Sequence, residues 1–481
     1  MLLRSTLIYG PAILFTRVSA LLLLVVVTRL INQEEYGLLT LVVTVGEMTD
    51  AAVTNWLRIA LLRLGGTKDI SRGSLVLAGK VMFFTTMLAL VIAVIASAFV
   101  VPGRWIEFSI AVCTYLVVST IGRLALTVLQ MQQRHSTYSL LECLRGMLQL
   151  AFPIAAIAIF PNTFLVVALG SSAGMLVAGI IAFAMASRQV TDGAARFTAH
   201  ELFALGIPLV AVALVGFGMN SSERLFLNAF HDATAVAIFA AAYVLARQPI
   251  DIVGHAINVG TFPELMSRFD EEGQSASGKL LSQVMALMMQ LCLPVAAMLV
   301  ALGDQITQLL LPLNYHGRTG LLFPAIAFAV VCANLTNVVY GAVIHAHKRP
   351  WLLIVATLMG SVGTIGLSVV LIPKLSELGA AIALAGGSVM ALAACVVIGE
   401  RLTPIPVPWR DIALSLVTAV ATGAAAYVAA GLLRDMPVLL SLTIGGIAGA
   451  LTLLLMTWLF RPAAVRQASS IIRRTIGAVR G

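Results

Sequence analysis

Apolar runs long enough to cross a bilayer recur from one end of this chain to the other, and that recurrence limits its possible folds more than any other feature. A hydrocarbon core about 30 Å thick needs about 20 apolar residues of helix. Inside it every backbone N–H and C=O must be satisfied within the protein, so each run has to be a helix. The runs lie at 5–31, 37–62, 75–101, 105–130, 137–160, 163–186, 201–229, 233–262, 280–303, 321–346, 351–373, 378–400, 409–433 and 437–460. They predict an all-α polytopic membrane protein with about fourteen transmembrane helices. Composition agrees: 60% of residues are hydrophobic, 11% are charged, and the mean hydropathy is +1.01. Soluble domains average about 25% charged residues, which excludes a large water-soluble domain. The first run is too long for a signal peptide and reads as a span.

Loop charges set the orientation. Alternate loops carry 18 basic residues, from Arg4 through Arg63, Lys68, Arg72, Arg188 and Arg196 to Arg461, Arg466, Arg473, Arg474 and Arg480. The intervening loops carry only 4, namely Arg104, Arg318, Lys374 and Arg434. By the positive-inside rule both termini are cytoplasmic. The net charge of +9 therefore reports membrane topology, and no nucleic-acid partner is expected.

The remaining basic residues fall inside spans: Arg17, Arg29, Arg58, Lys80, Arg123, Arg145, Arg224 and Arg247, accompanied by Glu47, Asp50, Glu142, Glu223 and Asp251. Each central charge costs roughly 2.5–3.5 kcal/mol on insertion scales, so a chain that only had to sit in lipid would not keep so many. Lys80, Arg29 and Arg224 lie near span ends, where long side chains are expected to snorkel to the interface. The deeper ones form stripes. Tyr243, Arg247, Asp251 and His255 follow one another at i, i+4 in span eight, with Asn258 three residues on. Span two carries Thr40, Thr44, Glu47, Thr54 and Arg58 on one face, with Asp50 beside Glu47. Span five carries Tyr138, Glu142, Arg145 and Gln149. Spans one and ten add Thr16 with Arg17, and Asn334 with Asn337 and Tyr340. These polar faces are best satisfied by a shared central, cationic cavity. The plainer alternative is an Arg247–Asp251 pair that only fixes helix packing. Pro249, between the two, predicts a kink.

Glu142–Arg145 and Asp251–Arg247 sit at ion-pair spacing. Glu47 and Asp50 have no cation within one turn of their own helix, which makes them the candidates for proton coupling. Cys113, Cys143, Cys292, Cys332 and Cys395 all fall in apolar spans without a C-x-x-C pair and read as small buried hydrophobes. His345-x-His347 is not spaced as a metal pair on a helix. No metal, cofactor or catalytic residue is expected, and the chain does not read as an enzyme. Gly170-x-x-x-Gly174 and Gly360, Gly363 and Gly366 predict close helix approach.

A weak repeat relates Pro11, Arg29 and the Glu34-Glu35-Tyr36-Gly37 corner to Pro208, Arg224 and the Asp232–Ala237 corner. Six spans separate the copies, so they share one orientation. The expected organisation is two six-helix lobes, 1–195 and 200–402, then two further helices in 403–460 and a basic tail, 461–481, on the inner membrane surface.

At this point the chain resembles the bacterial polysaccharide transporters, or oligosaccharide-lipid flippases, of the multidrug/oligosaccharidyl-lipid/polysaccharide exporter superfamily. RLINQEEYGLLTL after span one, LGIPLVAVAL in span seven, AVAIFAAAYVLARQP and TFPELMSRF in span eight, and HKRPWLLIVATLMGSVGTIGLSVVLIPKLSELGAAIALA across spans eleven and twelve carry the resemblance by their order and spacing. Ala237 departs from the glycine usual in that family. The resemblance implies alternating access in the bacterial inner membrane, moving a polyprenyl-diphosphate-linked oligosaccharide from the cytoplasmic to the outer leaflet for O-antigen, capsule or exopolysaccharide synthesis. Membrane lipids, a polysaccharide polymerase and chain-length proteins are the further partners it implies. In related lipid II flippases arginines of spans one, two and eight line the cavity, and the positions that match are Arg17, Arg58 and Arg247. Arg145, Tyr243 and Asp251 join them as substrate-site candidates from the stripes, with Glu47 and Asp50 for coupling. A drug/cation antiporter of the same superfamily is one rival, but such proteins favour acidic intramembrane residues. A membrane-embedded glycan polymerase or glycosyltransferase is the other, and the short outer loops lack carboxylates and histidines for it.

Overall fold

The computed structural model describes residues 2–64, 70–188, 190–433 and 435–460; the basic tail and Arg434 lie outside them. The chain divides into two compact units, residues 1–240 and 241–481.

The first unit holds α1 (Leu2–Leu30), α2 (Gln33–Val53), α3 (Asn55–Leu64), α4 (Arg72–Val100), α5 (Trp105–Met131), α6 (His135–Ile159), α7 (Phe164–Ser187), α8 (Ala199–Asn220), α9 (Ser222–Phe230) and the start of α10 (Ala233–Glu272). The second continues with α11 (Gln274–Ala301), α12 (Gly303–Leu310), α13 (Arg318–Asn334), a π-helical turn (Leu335–Tyr340), α14 (Gly341–Ala346), α15 (Trp351–Leu402), α16 (Trp409–Gly431) and α17 (Val438–Phe460). Twelve described helices are long and apolar enough to cross a membrane. One of them, α15, is interrupted at Ser376, whose φ of 50° is left-handed, and so covers spans eleven and twelve. With α1, 29 residues long, the helices accommodate fourteen passes. Large apolar side chains such as Phe83 and Phe84 on α4 and Leu451 and Trp458 on α17 point outward, as on a surface that faces lipid.

Within the first unit α7 packs on both α5 and α6, α1 packs on α6, and α2 packs on α5. The glycine spacing in span six serves the α6–α7 contact. A Cβ on Gly170 would stand 2.8 Å from the Pro153 Cα, and one on Gly174 would stand 2.5 Å from the Leu148 carbonyl oxygen. At that separation no other residue fits. The two corners of the expected repeat are also built alike. The Asn32 Oδ1 accepts the Glu35 N–H at 2.8 Å, and the Asp232 Oδ1 accepts the Ala235 N–H at 2.8 Å, so each starts its helix with a side-chain cap three residues ahead. In the second unit α16 packs on α11 and α17, and α13 packs on α15.

Two expected spans are broken. The run 37–62 leaves the helix at Thr54 (φ −120°, ψ −36°), whose hydroxyl donates to the Asp50 carboxylate. The run 201–229 leaves it at Ser221 (φ −149°, ψ −4°). The Thr54 hydroxyl bonds both the carbonyl and the carboxylate of Asp50 in the preceding turn, and such bonds compete with the helix ladder. Two cations expected in the sparsely charged loops serve as ties instead. Arg104 pairs with Glu35 and Glu107 and lies 4.7 Å from the Phe164 ring centroid, while Arg318 donates to Glu377 at 2.9 Å. A parallel two-residue pairing, Ile70–Ser71 with Val190–Thr191, joins the segments before α4 and α8.

Candidate functional site

The polar stripes of spans two and five converge inside the first unit on a cavity of about 510 Å³. Glu47 enters it from α2, Arg58 from α3, Tyr115 and Arg123 from α5, Glu142, Arg145 and Gln149 from α6, and Ser171 and Ser172 from α7. The break at Thr54 matters here, because it separates the helix that carries Glu47 and Asp50 from the one that carries Arg58. Arg145 Nη2 donates to Glu142 Oε2 at 2.5 Å, as the i, i+3 spacing predicted. Asp50, 2% exposed, accepts from Arg123 and from the Thr54 hydroxyl. Its cation thus comes from another helix, where spacing along span two could not reveal it. Arg123 is the charged residue of this wall that sequence reasoning did not single out. Its presence among the intramembrane arginines was the available signal, but its partner was not legible. The Arg58 Nε is buried with no hydrogen-bond partner, while Glu47 is exposed to the cavity.

The second unit builds a different cluster. On α10, Arg247 Nε donates to Asp251 Oδ2 at 2.7 Å, and its Nη1 donates to the Tyr243 hydroxyl. The guanidinium also lies 5.2 Å from the Tyr243 ring centroid, within cation–π range. Asn334 Nδ2 donates to Asp251 Oδ1 at 3.1 Å and to the Val330 carbonyl at 2.9 Å. Asn334 stands just before the π-helical turn, an irregularity common at functional sites. Its close approach is possible because Gly254 faces it across the helices, where a Cβ would overlap the Asn334 Oδ1. The helix α10 runs continuously through Pro249. The Arg247 side chain keeps 36% exposure and Asp251 14%, so the pair is formed yet open on one side.

Arg17 is half-buried on α1, outside the cavity wall. His255 is exposed. Arg29 is exposed near its span end, as snorkelling requires. Arg224 is not: it turns inward, and its Nη1 donates to the Thr44 hydroxyl of α2 at 3.3 Å. The break at Ser221 redirects the helix that carries it, which corrects the expectation that it reaches the interface.

No curated protein sequence matches the chain significantly. Among solved structures, the lipid II flippase MurJ in its inward closed conformation superposes with a TM-score of 0.66 at 13% identity, covering 94% of this chain and 98% of that one. A mutant of the Vibrio cholerae MATE transporter VcmN gives 0.56 at 11% identity, over 83% and 96%. A MATE protein in its straight conformation gives 0.51 at 15%, over 83% and 95%. At such identities these likenesses establish the fold, which this all-α polytopic membrane protein shares with MurJ and the MATE transporters. A model of a family described as "polysaccharide biosynthesis protein" matches residues 26–320, more than half of the chain, and the chain therefore belongs to that family.

Proposed function

We propose that the protein is a flippase that carries a polyprenyl-diphosphate-linked oligosaccharide from the cytoplasmic to the outer leaflet of the bacterial inner membrane by alternating access, for O-antigen, capsule or exopolysaccharide synthesis. The observation that carries this reading is Arg247. It is a guanidinium inside a membrane span, oriented by Asp251 and Tyr243 on its own helix and still open on one side. A pair made only for packing would close both partners from water, because half-exposed charge in a membrane costs energy unless something anionic or aqueous meets it. Diphosphate oxygens suit the guanidinium fork, which binds them bidentately. Arg17, Arg58 and Arg145 are the further substrate-site candidates, with Glu47 and Asp50 for coupling. Family membership supports polysaccharide synthesis as the setting, and the fold shared with MurJ and the MATE transporters supports transport over catalysis. Both termini lie in the cytoplasm in this reading, and the polymerase and chain-length proteins take the product on the far side.

The test is genetic and then biochemical. A strain lacking the chromosomal copy should lose one surface polysaccharide while its lipid-linked precursor accumulates. Plasmid-borne wild type should restore export. Loss of no surface glycan, with no precursor accumulating, would refute the reading.

A further inference from the structure

The first-unit cavity carries three arginines, Arg58, Arg123 and Arg145, yet its surroundings balance them. Arg123 is matched by Asp50, and Arg145 by Glu142. Arg58 faces a cavity that Glu47 also enters. A diphosphate offers only acceptor oxygens. Against Glu47 and Glu142, which are acceptors too when ionised, it would meet like charge. A sugar hydroxyl is both donor and acceptor. It can give its proton to a carboxylate and receive one from a guanidinium or an amide, and Gln149 offers both kinds of group. The volume, about 510 Å³, lies within the range of small-ligand pockets, roughly 300–1,000 Å³, and leaves room for a short saccharide.

From this alternation of carboxylate, guanidinium and amide we propose that the first-unit cavity binds the glycan of the lipid-linked substrate through its hydroxyls, and that it does not bind the diphosphate. The proposal rests on the flippase reading above and assigns a part of that substrate to this cavity. Glu47 and Gln149 act as specificity residues: they select the sugar without holding the charge. Arg58, with its Nε unmatched, serves as a donor to the same hydroxyls.

The experiment uses the full chain in nanodiscs and two probes, a glycan-bearing polyprenyl diphosphate extracted from host membranes and bare undecaprenyl diphosphate. Affinity is measured for wild type, Gln149→Leu, Ser171→Phe and Arg247→Ala. Gln149→Leu removes hydrogen-bonding groups, and Ser171→Phe fills the cavity by an independent route. Each should weaken the glycan-bearing probe about tenfold and leave the bare one within about twofold, whereas Arg247→Ala should weaken both. Equal loss of both probes in a variant that keeps the wild-type melting temperature would overturn the proposal and place the diphosphate in this cavity. So would wild-type affinity for both probes in the two cavity variants. If one variant loses its melting transition, the other decides. Failure of the wild type to bind either probe would instead defeat the flippase reading itself, which keeps the two failures apart.

Discussion

In the first unit the buried ion pair joins two helices, Asp50 of α2 with Arg123 of α5, 73 residues apart, whereas in the second unit Arg247 finds Asp251 and Tyr243 one turn away on its own helix. A pair within one helix survives any rearrangement of its neighbours, because the backbone fixes the spacing. A pair between helices lasts only while those helices stay in register. Arg247 is therefore a group pre-set for a ligand, and Asp50–Arg123 is a joint whose integrity depends on packing. Substitutions separate these roles.

The largest effect is expected at Arg247. Arg247→Ala should abolish surface polysaccharide at normal membrane abundance, read by immunoblot of both glycan and protein. Arg247→Lys should restore only part, because an ammonium lacks the planar fork. Normal export by the alanine variant would make the second-unit cluster a packing device and erase the contrast.

Next come the two ends of the joint. Arg123→Ala leaves Asp50, 2% exposed, buried without its cation, and breaking such a pair costs about 3–5 kcal/mol. Asp50→Ala leaves Arg123, whose side chain keeps 31% exposure and opens on the cavity, so the loss should be smaller. Thermal unfolding in detergent should rank Arg123→Ala as the less stable variant, with the double variant recovering part of the difference. Asp251→Ala breaks a half-open pair on one helix and a single hydrogen bond from Asn334, and should move the melting temperature least. Equal losses in all three would show that the joint and the pre-set pair do not differ in kind.

That distinction also explains how much could be read from the chain. Glu142–Arg145 and Arg247–Asp251 were legible because helical spacing alone brings them together. The long apolar helices were legible because bilayer thickness fixes run length, and the Gly170–Gly174 contact because only a missing Cβ allows it. Arg123 as the partner of Asp50, Asn334 as the partner of Asp251 and Arg224 turned onto Thr44 all need the packing of separate helices, which periodicity does not carry. The breaks at Thr54 and Ser221 were hidden for another reason. Threonine and serine are tolerated in membrane helices, and only the local hydrogen bond of Thr54 to Asp50 distinguishes a break from an uninterrupted turn.

The joint sharpens the coupling question as well. With Asp50 held by Arg123 and Thr54, Glu47 is the carboxylate of α2 that faces the cavity without an ion pair among the described residues. Glu47→Gln should remove the response of flipping to an imposed pH gradient in vesicles and lower the rate severalfold. Asp50→Asn should keep the response and lose stability instead. Retention of the response by both variants would leave no proton role for α2.

The smallest effect is expected at Tyr243, and it tests how complete the pre-set cluster is. Tyr243→Phe removes the hydroxyl that accepts from Arg247 Nη1 but keeps the ring beneath the guanidinium, where a cation–π contact is worth about 0.5–2 kcal/mol. Arg247 also keeps its bond to Asp251 at 2.7 Å, so its direction is held by two of three contacts. Losing one hydrogen bond costs about 0.5–1.5 kcal/mol, and export should fall by no more than about tenfold, the equivalent of 1.4 kcal/mol. The freed Nη1 would then face the open side of the cluster, and bare undecaprenyl diphosphate should bind as tightly as before or slightly more so. A loss as deep as that of Arg247→Ala would mean that the hydroxyl itself meets the substrate, which makes the second-unit site a Tyr–Arg pair and not an arginine with supports.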